Sequence, residues 1–195
     1  MRKFALGFLV AIVFSAVAVF SFLRFGMMDP RADMPVSAME RGMAMPSLDA
    51  SIERRAPEIK NPVPPTDENL AAGMKIYQAN CALCHGDIHQ PHAKVADTLY
   101  PRPPQFVEDA ADMAPNQNFY IIQHGIRMSG MPGWKDALSP QEMWQVTGFL
   151  SHMDNLSPAL ANNWKVAAGG SASDPDVKPG NSDTVKKGGM NMSKP

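Results

Sequence analysis

Cys81-Ala82-Leu83-Cys84-His85 is the segment of this chain best equipped for chemistry. Two thiols three residues apart on one helical turn can each add to one vinyl group of a porphyrin. The imidazole that follows is placed to ligate the iron beneath the ring. The pattern C-x-x-C-H is that of covalent haem attachment. These are the chain's two cysteines, so no disulfide framework competes for them. Other uses of the same residues fit less well. A dithiol redox pair needs a βαβ setting, and no strand pattern precedes Cys81. A zinc site needs a second ligand pair, and His89 and His92 lie too near to supply it.

Helices must hold such a segment. Thr66 is placed to cap one, and Asp67 and Glu68 add negative charge at its positive end. Leu70, Met74, Tyr77 and Cys81 then recur on one helical face, so the helix delivers Cys81 on the side of its own core residues. Gly86 can end the turn. From Asp87 to Asp112 the sequence predicts loops. Tyr100-Pro101-Arg102-Pro103-Pro104-Gln105-Phe106 is too rich in proline for a helix or a central strand. Asn116 is placed to cap a short helix, Gln117 to His124, with Phe119, Ile121 and Ile122 inward and Gly125 at its C-terminal end. Ser139-Pro140-Gln141-Glu142 is the strongest local signal. Serine caps, proline suits the first helical position and glutamate reaches back. Met143, Val146, Leu150 and Met153 mark one face of the helix it starts.

Three separated stretches resemble class I c-type cytochromes, in that family's order. Gly73 to Asn80, before the attachment motif, is similar to its N-terminal helix. Gly125-Ile126-Arg127-Met128-Ser129-Gly130-Met131-Pro132-Gly133-Trp134 is similar to its distal-ligand loop, and Leu138 to Met153 to its closing helix. The resemblance covers about Thr66 to Pro158. It implies a mostly α fold, a small helical domain around one covalently bound haem c. It also implies that the closing helix crosses the N-terminal one, with Gly73 and Tyr77 meeting the Phe149–Leu150 region. A proline carbonyl in the loop after the motif would accept a hydrogen bond from the proximal histidine. Pro104 is the candidate, with Phe106 as an apolar wedge, and that bond would orient the ring and raise its ligand basicity.

His85 supplies one axial position of the iron. Met131 is the leading candidate for the other, in a loop between a helix end and a helix start, with Pro132 limiting its conformations. Met128 and His124 are rivals. His89 and His92 follow His85 too closely to reach the opposite face and read as surface residues, as does His152. Thioether plus imidazole favours Fe(II) and raises the reduction potential, and two filled positions leave none for oxygen or peroxide. The expectation is a one-electron carrier rather than an enzyme. An open iron site would instead make an enzyme or gas sensor.

The 195 residues carry a net charge of −1, so nothing basic suggests nucleic acid. Residues 1–25 read as an anchor. Phe4 to Leu23 are 20 positions without a charge, and a helix of that length, about 30 Å, spans a bilayer's hydrocarbon core. Arg2 and Lys3 before it keep the N-terminus in the cytoplasm. This predicts a single-pass protein of a bacterial inner membrane with its haem domain in the periplasm. The rival is a cleaved signal peptide, since Ala16-Val17-Ala18 has the form of a cleavage site.

Residues 26–65 read as a proline-broken linker, with at most a turn or two of helix at Val36–Met45 or Leu48–Arg55. As a coil it would span about 35 Å. Its methionines, Met27, Met28, Met34, Met39, Met43 and Met45, could bind Cu(I) or simply fill apolar contacts. Residues 66–165 form the haem domain. Residues 166–195 lack the apolar side chains for a core and read as a disordered tail. Between Thr66 and Lys165 there are six basic and ten acidic side chains, which argues against a lysine-ringed docking face. The expected partners are redox proteins. The alternative is a fixed haem subunit of a larger respiratory, photosynthetic or dehydrogenase complex.

Overall fold

The computed structural model describes residues 2–27, 30–32 and 34–168. Within them lie seven α-helices and no strand: α1 (Arg2–Arg24), α2 (Ala38–Arg55), α3 (Asp67–Asn80), α4 (Ala82–His85), α5 (Pro115–His124), α6 (Pro140–His152) and α7 (Pro158–Ala168). Two short 3-10 turns, Lys94–Thr98 and Met153–Asn155, complete the regular structure. The mostly helical fold agrees with the sequence.

The core forms where α3 meets α6. Thr66 caps α3 through its side chain, which accepts from Asn69 N. Ser139 caps α6 by accepting from Glu142 N, while Glu142 Oε2 accepts in return from Ser139 N at 2.8 Å. Leu70, Met74 and Tyr77 from α3 pack with Met143, Val146, Phe149 and Leu150 from α6. Gly73 is the closest approach, since a Cβ there would lie 2.1 Å from Gln145 O and 2.9 Å from Phe149 Cβ. Phe119 and Ile122 of α5 close the cluster, with Phe119 stacked on Trp144 at 4.0 Å.

α1 is apolar, 23 residues long and buries nothing against the rest of the chain. Its length and composition are those of a membrane span, and an N-terminal signal sequence has the same ones.

The segment before the core departs from the sequence reading. α2 runs unbroken through 18 residues, with Pro46 inside it. Ser37 accepts from Glu40 N at 3.1 Å, Glu40 lies in the first turn, and Arg54 and Arg55 lie in the last, each matched to the helix dipole. Proline removes one backbone donor, and here capping and tertiary contact outweigh that loss. Ile52 and Ala56 are buried, so this stretch is not a free coil. Met28 lies outside the described residues.

Other departures are smaller. Asn116 does not cap α5; the helix starts at Pro115, and Asn116 Nδ2 donates to Pro57 O at 3.0 Å. His152 is half-buried, its Nδ1 donating to Gly148 O at 2.8 Å. The chain remains helical through Ala168 as α7, so residues 166–168 belong to a helix; the remainder of the expected disordered tail, 169–195, lies outside the described residues. Trp164 of α7 is buried against Tyr77 and Phe149, at 5.8 and 5.2 Å between ring centroids.

Candidate haem site

α3 hands the chain directly to α4, so the C-x-x-C-H segment leaves the core on a helical turn. His85 N and Cys84 N both donate to Cys81 O, at 2.9 and 3.1 Å. The Tyr77 hydroxyl, one turn before, donates to Gly86 O at 2.8 Å and lies 3.2 Å from His85 O. A buried core tyrosine thereby fixes the backbone of the histidine. Burial pushes its pKa up, so the hydroxyl stays a donor. Burial also pushes the Cys81 thiol up to about 12, with the neighbouring Cys84 adding to the rise. Both cysteines are unpaired.

His85 is held from two further directions. Its Nδ1 donates to Pro104 O at 2.9 Å, which leaves Nε2 as the ring's free lone pair. Burial lowers its pKa, and the hydrogen bond to Pro104 opposes that to a smaller extent. The neutral imidazole, the form that ligates a metal, is therefore favoured. Phe106 stacks on the ring, and Phe106 N donates to His85 O at 3.2 Å.

Gln105, which the sequence reading passes over, ties this loop together. It is buried. Its Oε1 accepts from Ala93 N at 2.7 Å, and its Nε2 donates to Pro103 O and Cys84 O at 2.8 and 3.0 Å. Its place between Pro104 and Phe106 is the available signal, since a proline-rich turn has few backbone N–H groups of its own and its carbonyls look to side-chain donors.

The loop after α5 is pinned as firmly. Gly125 adopts φ 68°, and a Cβ there would lie 2.6 Å from Met131 O and Gly133 N. Ile126 N donates to Met131 O at 3.1 Å, Met131 N to Ser129 Oγ at 3.1 Å, and Trp134 N to Ile122 O at 2.9 Å. The glycines let the Met131 turn fold back on the end of α5.

These pieces surround one cavity of about 370 Å³, within the range of about 300–1,000 Å³ usual for small-molecule sites. Cys81, Cys84, His85, Pro104 and Met131 all border it, with Phe106, Ile122, Ile126, Trp134, Val146 and Leu150. Two thiols, an imidazole and a thioether on an apolar wall suit an iron porphyrin. Other candidates from the sequence stand elsewhere. Met128 is 92% exposed. His124 is exposed and packs on Tyr120 at 4.7 Å. His89 Nε2 donates to Lys165 O at 2.6 Å. His92 lies between Glu108 and Asp97, whose carboxylates hold its pKa above the usual histidine range, Glu108 contributing most.

Comparison with known proteins finds a family domain over the same stretch of chain. A family model described as cytochrome C oxidase, cbb3-type, subunit III matches residues 68–150. The quinohemoprotein alcohol dehydrogenase ADH-IIG of Pseudomonas putida is 31% identical over 121 residues, 60% of this chain. The match spans 16% of that relative's length. Among solved structures, the Kuenenia stuttgartiensis reducing HAO-like protein complex Kustc0457/Kustc0458 matches with 23% identity, a TM-score of 0.40 and coverage of 59% of this chain and 60% of that one. The residues matched by the family model run from the first turn of α3 to the last turn of α6, the stretch that folds around the cavity, and this stretch is a cytochrome c domain of the class I type, which implies haem.

Proposed function

We propose that the chain carries one haem c, joined through Cys81 and Cys84 and ligated by His85 Nε2 and Met131 Sδ, and that it passes single electrons. The observation that carries this reading is the shared cavity. Cys81, Cys84, His85 and Met131 border it together, whereas Met128 and His124 are exposed. Haem, when bound, supplies reversible one-electron chemistry. The chain's own residues do the rest. Pro104 and Phe106 orient the imidazole, the Met131 turn presents a neutral thioether, and the apolar wall limits access of water. α1 anchors the domain to a bacterial inner membrane, with the domain in the periplasm.

Haem staining of the denatured protein tests the attachment. Colour retained by the wild type and lost in Cys81→Ala/Cys84→Ala supports it. Met131→Ala tests the ligand: the Fe–S charge-transfer absorption band should vanish and the reduction potential fall. An unchanged spectrum would exclude Met131. The mass of the mature protein tests the anchor, because a cleaved signal would remove α1.

A second reading has an observation in its favour. The Pseudomonas putida relative is by its name a haemoprotein and a dehydrogenase, and the match occupies a small part of it. On this reading the chain is a fixed haem subunit beside a dehydrogenase or another respiratory or photosynthetic complex. Stable co-purification with other subunits after detergent extraction would favour it over a separate carrier.

A further inference from the structure

α2 lies wholly before residue 68, where the match to the family begins. It nevertheless borders the same cavity as His85 and Met131, through Met45, Leu48, Asp49 and Ile52. It is fastened at its C-terminal end, and near its start Glu40 lies beside the Tyr100 hydroxyl. Just after its end, Pro57 O accepts from Asn116 of α5, and Asn61 Nδ2 donates to Trp144 O of α6 at 3.0 Å. Ile52 and Ala56 are buried. The apolar residues recur toward the domain, while Met43 on the same helix is 68% exposed.

We infer that α2 is a built wall of the haem site, an addition to the family domain that shields the cofactor from water through Leu48 and Ile52. The inference rests on the haem reading above and extends it to residues outside the family match. Its physical consequence concerns the iron's charge. Ferric haem carries one more positive charge than ferrous haem, so water admitted to the site stabilises the oxidised form and lowers the potential. A wall that excludes water does the reverse. Neutral substitutions isolate this effect, because a new carboxylate would shift the potential by its own charge.

The experiment compares wild type, Leu48→Ser/Ile52→Ser and the outward-facing control Met43→Ser, each haem-loaded in the full chain. Potentials are read by voltammetry, and backbone exchange over residues 45–56 by hydrogen–deuterium exchange on the wild type. The double variant should shift the oxidation equilibrium about tenfold toward the ferric form, a fall of about 59 mV for one electron. Met43→Ser should leave it unchanged, and the α2 amides should be protected. Equal potentials in the two variants would overturn the inference. So would α2 amides that exchange as freely as an isolated helix, a measurement that stands even if the double variant fails to fold. A wild type without haem colour would instead count against the haem reading and leave α2 packed on an apolar cavity.

Discussion

The ring of Phe106 lies nearly parallel to the imidazole of His85, 4.7 Å between centroids and 13° between planes. Between Pro104, which accepts the imidazole's hydrogen bond, and Phe106 sits Gln105, whose amide satisfies three backbone groups. The ring's orientation therefore depends on a side chain whose own hydrogen bonds all go to backbone groups. Gln105→Leu keeps the volume but strands Ala93 N and two carbonyls. Each buried group left unpaired costs about 1–3 kcal/mol. Urea unfolding of the haem-loaded protein should show a loss of at least that size. A loss below about 0.5 kcal/mol would mean that the loop does not need the amide.

Gly73→Ala separates two opposing effects. Within an isolated helix, alanine is better than glycine by about 1 kcal/mol. Against α6, the added carbon would meet Gln145 O at 2.1 Å. That oxygen is backbone, so the helices must move apart, and overpacking of this kind costs about 1–3 kcal/mol or more. The substitution should lower the melting temperature. A rise would show that α3 and α6 do not meet at this position.

Local chemistry is what the sequence makes legible. Ser139, Pro140 and Glu142 announce a helix start by themselves, and Cys81, Cys84 and His85 spell a haem-attachment pattern, because each set works within one turn of chain. The features that escape depend on distant partners or on rules that compete. Pro46 reads as a break in α2, although Ser37 and Glu40 carry the same start signal as Ser139 and Glu142. Its burial through Ile52 needs α5, which no local pattern contains. α7 also has a signal in Ser157-Pro158, and Ser157 Oγ does accept from Leu160 N at 3.3 Å. The polar sequence beyond it hides that start.

Met128 and Met131 give a paired test inside one loop. Met128 sits at φ 61° and is almost fully exposed, a conformation that costs a side-chain-bearing residue about 1–2 kcal/mol. Met128→Gly should therefore stabilise the protein by about 1 kcal/mol and leave the haem spectrum as it was. Loss of the Fe–S band in that variant, with the band intact in Met131→Ala, would exchange the roles of the two residues.

The start of α6 carries a pH dependence whose sign can be worked out. The Ser139 hydroxyl, and then its backbone N–H, hold the Glu142 carboxyl below the usual carboxylate range. A depressed folded-state pKa contributes stability above the unfolded value, about 4.3 for glutamate. That contribution disappears as the pH falls through the folded value. Ser139→Ala removes the larger cause. Melting curves at pH 7 and pH 3 should show the gap between wild type and variant narrowing in acid. A gap that widened in acid would contradict the assigned contact.

Trp164 puts the weight of α7 on the C-x-x-C-H segment. Its indole packs edge-on against Tyr77 and Phe149, and Tyr77 holds the carbonyl of Gly86 immediately after His85. Beside it, Lys165 O accepts from His89, so the helix also ties down the loop that follows the motif. Trp164→Ala should cost about 3–5 kcal/mol, the range for deleting a buried aromatic side chain. Were this stretch part of an unpacked tail, the change would stay within about 0.5 kcal/mol. Thermal unfolding of the haem-loaded full chain distinguishes the two. Asn163 is exposed on the same turn, so Asn163→Ala supplies the control and should leave the melting temperature unchanged.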